Sequence, residues 1–112
     1  MTKVGVIGLG QMGRVIAWGM QELGHTLVLV DSSEESRSLC KELLDARDPH
    51  TFSDSHEDLI ECSLVISALP YHQNLSIAKF CIDNGIKYCD LGGRVDVSEE
   101  INREDVLLKK LI

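Results

Sequence analysis

The apolar run Val4-Gly5-Val6-Ile7 passes without a break into Gly8-Leu9-Gly10-Gln11-Met12-Gly13, and a helical pattern starts on the last of these glycines. Three glycines in six residues do not extend a strand or a helix, because glycine loses more backbone freedom on ordering than any other residue. They suit a sharp turn from a buried strand into a helix packed close against it. The same strand-then-helix rhythm repeats downstream. Leu27-Val28-Leu29-Val30 and Leu64-Val65-Ile66 are further apolar runs, and Ile86-Lys87-Tyr88-Cys89 is a weaker one. Near-continuous runs of this length suit strands covered on both faces, as in parallel sheets.

Amphipathic stretches separate the runs. Ile16, Met20 and Leu23 share one helical face, and Gly24 follows as a left-handed stop. Ser32 with Glu35 predicts a capping box that opens a second helix with Leu39, Leu43 and Leu44 inward, and Pro49 lies beyond its end. Thr51-Phe52 is expected to be a short edge strand. Ser55 with Asp58 predicts a second capping box and a short helix through Leu59 and Ile60. Leu75, Ala78 and Ile82 share a face of the next helix, which ends at Asn84-Gly85. A last amphipathic segment runs from Ser98 with Ile101, Leu108 and Ile112 inward. This order predicts a doubly wound α/β fold, one parallel sheet of about five to six strands with right-handed crossovers, in a single domain over residues 1–112. The helical pattern is still running at Leu107–Ile112, so the chain reads as a fragment of a longer protein.

The glycines match G-x-G-x-x-G in the context that gives the motif meaning, directly after a strand and at the start of a helix. Gly8 makes the turn, Gly10 lets the backbone approach a pyrophosphate, and Gly13 lets helix and strand pack closely. With Gln11 and Met12, these residues present unpaired N–H groups and the helix dipole to a diphosphate. Asp31 ends the second run, 18 residues after Gly13. A carboxylate there accepts hydrogen bonds from the adenosine ribose hydroxyls and repels a 2′-phosphate, which favours NAD over NADP. The alternative is a solvated Asp capping the next helix. NADP stays open, because Ser32, Ser33 and Arg37 could serve a 2′-phosphate.

Composition sets the outer limits. Net charge is −7, which disfavours a nucleic-acid partner. No apolar run nears the ~18 residues of a membrane span, and no secretory leader is evident. Cys40, Cys62, Cys81 and Cys89 form no C-x-x-C pair, so no metal site is expected, and reduced thiols in a cytoplasmic protein are the reading.

Two further stretches fall at the carboxyl ends of the third and fourth runs, where ligands of open α/β sheets lie. They are Ser67-Ala68-Leu69-Pro70-Tyr71-His72-Gln73-Asn74 and Tyr88-Cys89-Asp90-Leu91-Gly92-Gly93. Pro70 ends its strand and shapes the loop, and Gly92-Gly93 permits close backbone approach. G-L-G-x-M-G-R, A-L-P-x-x-x-N and Y-C-D-L-G-G together resemble the amino-terminal Rossmann cofactor domain of the saccharopine dehydrogenase family, over Lys3 to about Arg103. That family includes saccharopine reductases, lysine 6-dehydrogenases and carboxynorspermidine dehydrogenases, with lysine 6-dehydrogenase the nearest in motif.

The resemblance implies hydride transfer between a nicotinamide and the carbon bearing the amine of an amino acid. It also implies a second, mostly β domain that supplies substrate contacts and a homodimer surface. By match to the motif, Ala68, Leu69 and Pro70 line the nicotinamide-ribose side, and Asp90 to Gly93 face the cleft. Arg94-Val95-Asp96 departs from the Asn-rich stretch expected of lysine 6-dehydrogenases, which leaves the amino acid open.

His72 and Asp90 are the titratable residues expected near the nicotinamide, where either could exchange a proton with a substrate amine. The competing readings are a solvated loop histidine and an Asp that bonds amides at its own turn. His25, His50 and His56 read as surface residues, Tyr71 as packing on cofactor or helix, and Trp18 as a core or interface residue. Two other functions share the glycine loop. One is a regulatory domain that senses NAD without turnover. The other is a β-hydroxyacid dehydrogenase, whose family also uses G-L-G-x-M-G but is expected to continue into an all-helical domain; D-L-G-G argues against it.

Overall fold

The computed structural model describes residues 3–45 and 47–91. Strand β1 (Lys3–Ile7) leads into helix α1 (Gln11–Glu22), followed by β2 (Thr26–Val30), α2 (Glu34–Leu43) and the short β3 (Thr51–Ser53). A 3₁₀ helix (His56–Glu61) crosses to β4 (Leu64–Ser67), and α3 (Tyr71–Asp83) returns to β5 (Lys87–Asp90). The five strands form one parallel sheet in the order β3-β2-β1-β4-β5. This is the predicted Rossmann-like architecture. The winding reverses between β1 and β4, and in such sheets a crevice opens beyond the carboxyl ends of the strands at that reversal.

Continuous apolar runs are needed because both faces are covered. Val4, Val6, Leu27, Leu29 and Ile66 meet Ala17 of α1 and Cys40 and Leu44 at α2 on one face. Ile7, Val28, Val30 and Val65 meet Leu59 of the 3₁₀ helix and Ile77 and Cys81 of α3 on the other.

Several local expectations shift. Ser33, not Ser32, caps α2: its backbone is extended and its Oγ accepts the Ser36 N–H at 3.2 Å. Leu23 is 70% exposed, because α1 ends before it and the chain turns away at Gly24, φ +89°. In α2 the inward positions are Cys40 and Leu44, while Leu39 and Leu43 are exposed. The buried face of α3 is likewise displaced to Asn74, Ile77, Ala78 and Cys81, with only Ala78 of the expected set fully buried. Ser55 caps the next element as expected, but that element is 3₁₀, and of its two apolar residues Leu59 is buried and Ile60 exposed. Trp18 is nearly half exposed and is not a core residue. The segment from Ser98, with Ile101, Leu108 and Ile112, lies outside the described residues, as do Gly92-Gly93 and Arg94-Val95-Asp96.

His50 is the largest departure from the surface reading. Its side chain is 3% exposed. Nδ1 accepts the Leu27 N–H at 3.0 Å, so the neutral ring carries its proton on Nε2 and donates to Gln21 Oε1 at 3.1 Å. The same Gln21 oxygen accepts the Asp45 N–H at 2.8 Å. The ring thereby ties the end of α1, the start of β2 and the loop before β3 together. Burial lowers its pKa below the ordinary 6.5, against the smaller opposing pull of Asp48 and Asp45. Between the folded and unfolded values the unfolded chain binds the extra proton. Stability is therefore complete above pH 6.5 and drains as pH falls through the folded value, at no more than about 1.4 kcal/mol per pH unit for one group. Urea unfolding of the wild type and His50→Gln at pH 8 and pH 5.5 should show a steeper loss in the wild type. Equal losses would remove His50 as the cause.

Candidate functional site

The crevice is built from residues one step past each strand. Gly8 N–H donates to Val30 O at 2.9 Å, Ala68 N–H to Ile7 O at 2.8 Å, and Asp31 N–H to Ser53 O at 3.1 Å. The ladder thus continues past the strand ends and holds Gly8, Asp31 and Ala68 at one rim.

Within the glycine loop each glycine meets a different constraint. Gly8 has φ +91°, and a Cβ there would stand 2.9 Å from the Ala68 carbonyl carbon. A Cβ on Gly13 would land on the Gly8 carbonyl oxygen. A Cβ on Gly10 would meet no atom within 4 Å. Gly10 is also the N-cap of α1, and no side chain caps that helix. The amides of Gln11, Met12 and Gly13 precede the first intrahelical bond, Arg14 N–H to Gly10 O. The helix entrance therefore presents donors, a positive dipole end and open space together, which suits an anion. Met12 is exposed at this entrance, and the Leu9 side chain is fully buried beneath it. The Arg14 guanidinium donates to Leu9 O at 3.0 Å and braces the loop from the helix side.

Asp31 faces the loop. Its Oδ2 accepts the Leu9 N–H at 2.7 Å and its Oδ1 accepts the Ser33 N–H at 2.8 Å. Each carboxylate oxygen has a further lone pair, so the group can still accept from a ligand hydroxyl. The Arg37 guanidinium donates to the Asp31 carbonyl at 2.6 Å. Beside this carboxylate lies a cleft of about 280 Å³, with Ile7, Val30, Leu69 and Ile77 as apolar lining and Ser32, Asp54, His56, Gln73 and Ser76 as polar lining.

The second constellation has a buried strut under it. Ser67 Oγ donates to Asn74 Oδ1 at 2.9 Å, and both residues are at most 2% exposed. Ser67 Oγ accepts the Leu69 N–H at 3.4 Å, which shapes the Ala68-Leu69-Pro70 turn. Pro70 is the N-cap residue of α3. Tyr88 donates to Asp90 Oδ2 at 2.8 Å, and its hydroxyl also meets Asn74 O at 3.4 Å. Burial and then the Asp90 carboxylate push the Tyr88 phenol upward, so it remains a donor. Asn74 thus serves the strand–loop–helix junction from inside, a role that the motif spacing did not reveal.

Of the expected cofactor residues, Asp31, Ser32 and Leu69 line the cleft, whereas Gly8, Gly10, Gln11, Met12, Gly13, Ala68 and Pro70 are outside its lining, with Gly8 and Ala68 tied to the strand ends beside it. His72 is exposed in the first turn of α3, with its ring edge-on to Tyr71 at 5.8 Å, and it does not line the cleft. Asp90 is half-buried at the end of β5. Sequence reasoning missed Asp54, His56, Gln73, Ser76 and Ile77 as lining. Asp54 carried a readable signal, since it stands one residue past β3 as Asp31 does past β2. His56, read as a surface residue, is exposed yet lines the cleft, edge-on to Phe80 at 5.1 Å.

Covalent chemistry through sulfur is disfavoured among the buried thiols: burial pushes Cys40 and Cys62 up to about 11 and Cys81 up to about 12. Among the described residues, no group of three or more His, Cys, Asp or Glu could hold a metal ion, and no helix is long and apolar enough to cross a membrane.

The family model described as the saccharopine dehydrogenase NADP binding domain matches residues 4–109. No curated protein matches the chain. Among solved structures, the 3-hydroxyacyl-CoA dehydrogenase of Archaeoglobus fulgidus is similar at TM-score 0.72 and 24% identity, over 93% of this chain and 39% of that one. The 3-hydroxyisobutyrate dehydrogenase of Mycobacterium tuberculosis gives 0.75 and 19%, over 98% and 37%. The WlbA dehydrogenase of Bordetella pertussis, solved with NADH and UDP-GlcNAcA, gives 0.75 and 14%, over 96% and 35%. The chain therefore spans less than two fifths of the length of these structures, and at such identities the likeness is one of fold.

Proposed function

The chain belongs to the saccharopine dehydrogenase NADP-binding domain family, and from that premise we propose that it is the cofactor half of an oxidoreductase that moves a hydride at a carbon–nitrogen bond of an amino acid. The observation that carries the cofactor reading is the uncapped start of α1 with open space at Gly10, beside the Asp31 carboxylate and its cleft. In this reading Gly8, Gly10, Gln11, Met12 and Gly13 hold the diphosphate through their backbone. Asp31 and Ser32 take the adenosine ribose. Ala68, Leu69 and Pro70 line the nicotinamide side. The nicotinamide ring supplies the hydride chemistry when bound. The residues of this chain bind and orient it, and Asp90, steadied by Tyr88, offers a hydrogen-bond acceptor at the end of β5.

The amino-acid substrate, the second domain that holds it and the homodimer are part of the same proposal. The likeness to two hydroxyacid-type dehydrogenases supports the alternative substrate class only through shared fold and the shared glycine loop.

NAD is the proposed cofactor although the family model is named for NADP, because a carboxylate pinned at the ribose disfavours a 2′-phosphate. Fluorescence titration at neutral pH should give a dissociation constant for NADH at least about tenfold below that for NADPH, equivalent to about 1.4 kcal/mol. Tighter NADPH binding would overturn the Asp31 argument, and no binding of either would overturn the site. Neither lysine nor saccharopine should be turned over by the 112-residue chain. Turnover would refute the assignment of substrate contacts to a second domain.

A further inference from the structure

We propose that Asp54 is a second discriminator against a 2′-phosphate, so that cofactor choice rests on a pair of carboxylates at adjacent strand ends. This deepens the reading above and rests on it. In the parallel register Val30 pairs with Ser53, so Asp31 and Asp54 each stand one residue past paired positions. The Asp31 N–H to Ser53 O bond, 3.1 Å, keeps the two strand ends in step beyond the last pair. Neighbouring strands lie about 4.8 Å apart. Both residues line the same cleft.

Neither carboxylate is placed by chance. Asp31 is pinned by the Leu9 and Ser33 amides and has no slack to turn away from a ligand. Asp54 sits at the tip of a turn closed by Ser53, whose Oγ accepts the Ser55 N–H at 3.0 Å and donates to Asp58. Among the described residues no lysine or arginine lines the cleft. The nearby Arg37 guanidinium is held by the Asp31 carbonyl. A 2′-phosphate carries close to two negative charges at neutral pH, and on a ribose seated at Asp31 it would face both carboxylates without a lining cation. A ribose hydroxyl there meets acceptors and suffers no such repulsion.

The test reads the ratio of the NADPH to the NADH dissociation constant in the wild type, Asp54→Asn, Asp31→Asn and the double variant. Low salt preserves the effect of exposed charges. Asp54→Asn alone should lower the ratio by about threefold to tenfold, the scale of an exposed charge contact. The double variant should fall below Asp31→Asn by a similar factor. The contribution of Asp54 should shrink when salt is raised, which a merely structural role would not produce. An unchanged ratio in Asp54→Asn, or a change indifferent to salt, overturns the proposal while leaving the cofactor reading in place. Failure of the wild type to bind either dinucleotide overturns both.

Discussion

Gly13→Ala is expected to cost the domain about 3 kcal/mol or more, a large part of the roughly 5–15 kcal/mol that holds a domain of this size together. The added methyl would land on the Gly8 carbonyl oxygen and stand 2.8 Å from its carbon. Relief by a side-chain shift is unavailable, because the obstacle is backbone. The loop is also held, since the Gly8 N–H is bonded to Val30 O and the Ala68 backbone lies close beside Gly8. The helix must lift from the sheet, and Ala17, fully buried one turn further on, must leave the core with it. Urea denaturation followed by circular dichroism measures the loss. A midpoint close to that of the wild type would show that α1 does not pack on β1 through this glycine.

Gly10→Ala should behave in the opposite way. Its methyl meets no atom within 4 Å, so the fold should keep its stability to within about 1 kcal/mol, the scale of an N-cap change. The methyl occupies the space that a diphosphate must enter to reach the amides of the first turn. NADH affinity should fall about 100-fold, or about 2.7 kcal/mol. Fluorescence titration of NADH beside a thermal melt separates the two quantities. Retained affinity would place the ligand elsewhere. Two glycines three residues apart in one motif are thus expected to fail differently, one through the fold and the other through the ligand.

The site was legible where its chemistry is local. Gly8 and Gly10 fall in the turn from β1 to α1, Gly13 in the first turn of α1 and Asp31 one residue past β2, positions set by turn geometry and spacing within one β-α-β unit. His72 was less legible. Its stretch at the carboxyl end of the third apolar run suggested the nicotinamide side, and in the first turn of α3 the ring is exposed and outside the lining of the cleft beside Asp31. His50 was misread because its partners, Leu27 and Gln21, are 23 and 29 residues away. Asn74 was noticed as part of a motif but not as a buried strut, since its bond to Ser67 exists only once α3 lies against the end of β4.

Alternation of apolar runs with amphipathic stretches was enough to specify strands, helices and a parallel sheet, because each follows from backbone preferences and burial patterns within a dozen residues. Which flank of each helix turns inward, the placement of β1 between β2 and β4, and the lining of one cleft by both Asp31 and Asp54 came only with the assembled sheet. Those outcomes depend on contacts between segments far apart in the chain. A periodic pattern gives a helix its apolar face to within one residue, and the neighbours it packs against decide the rest.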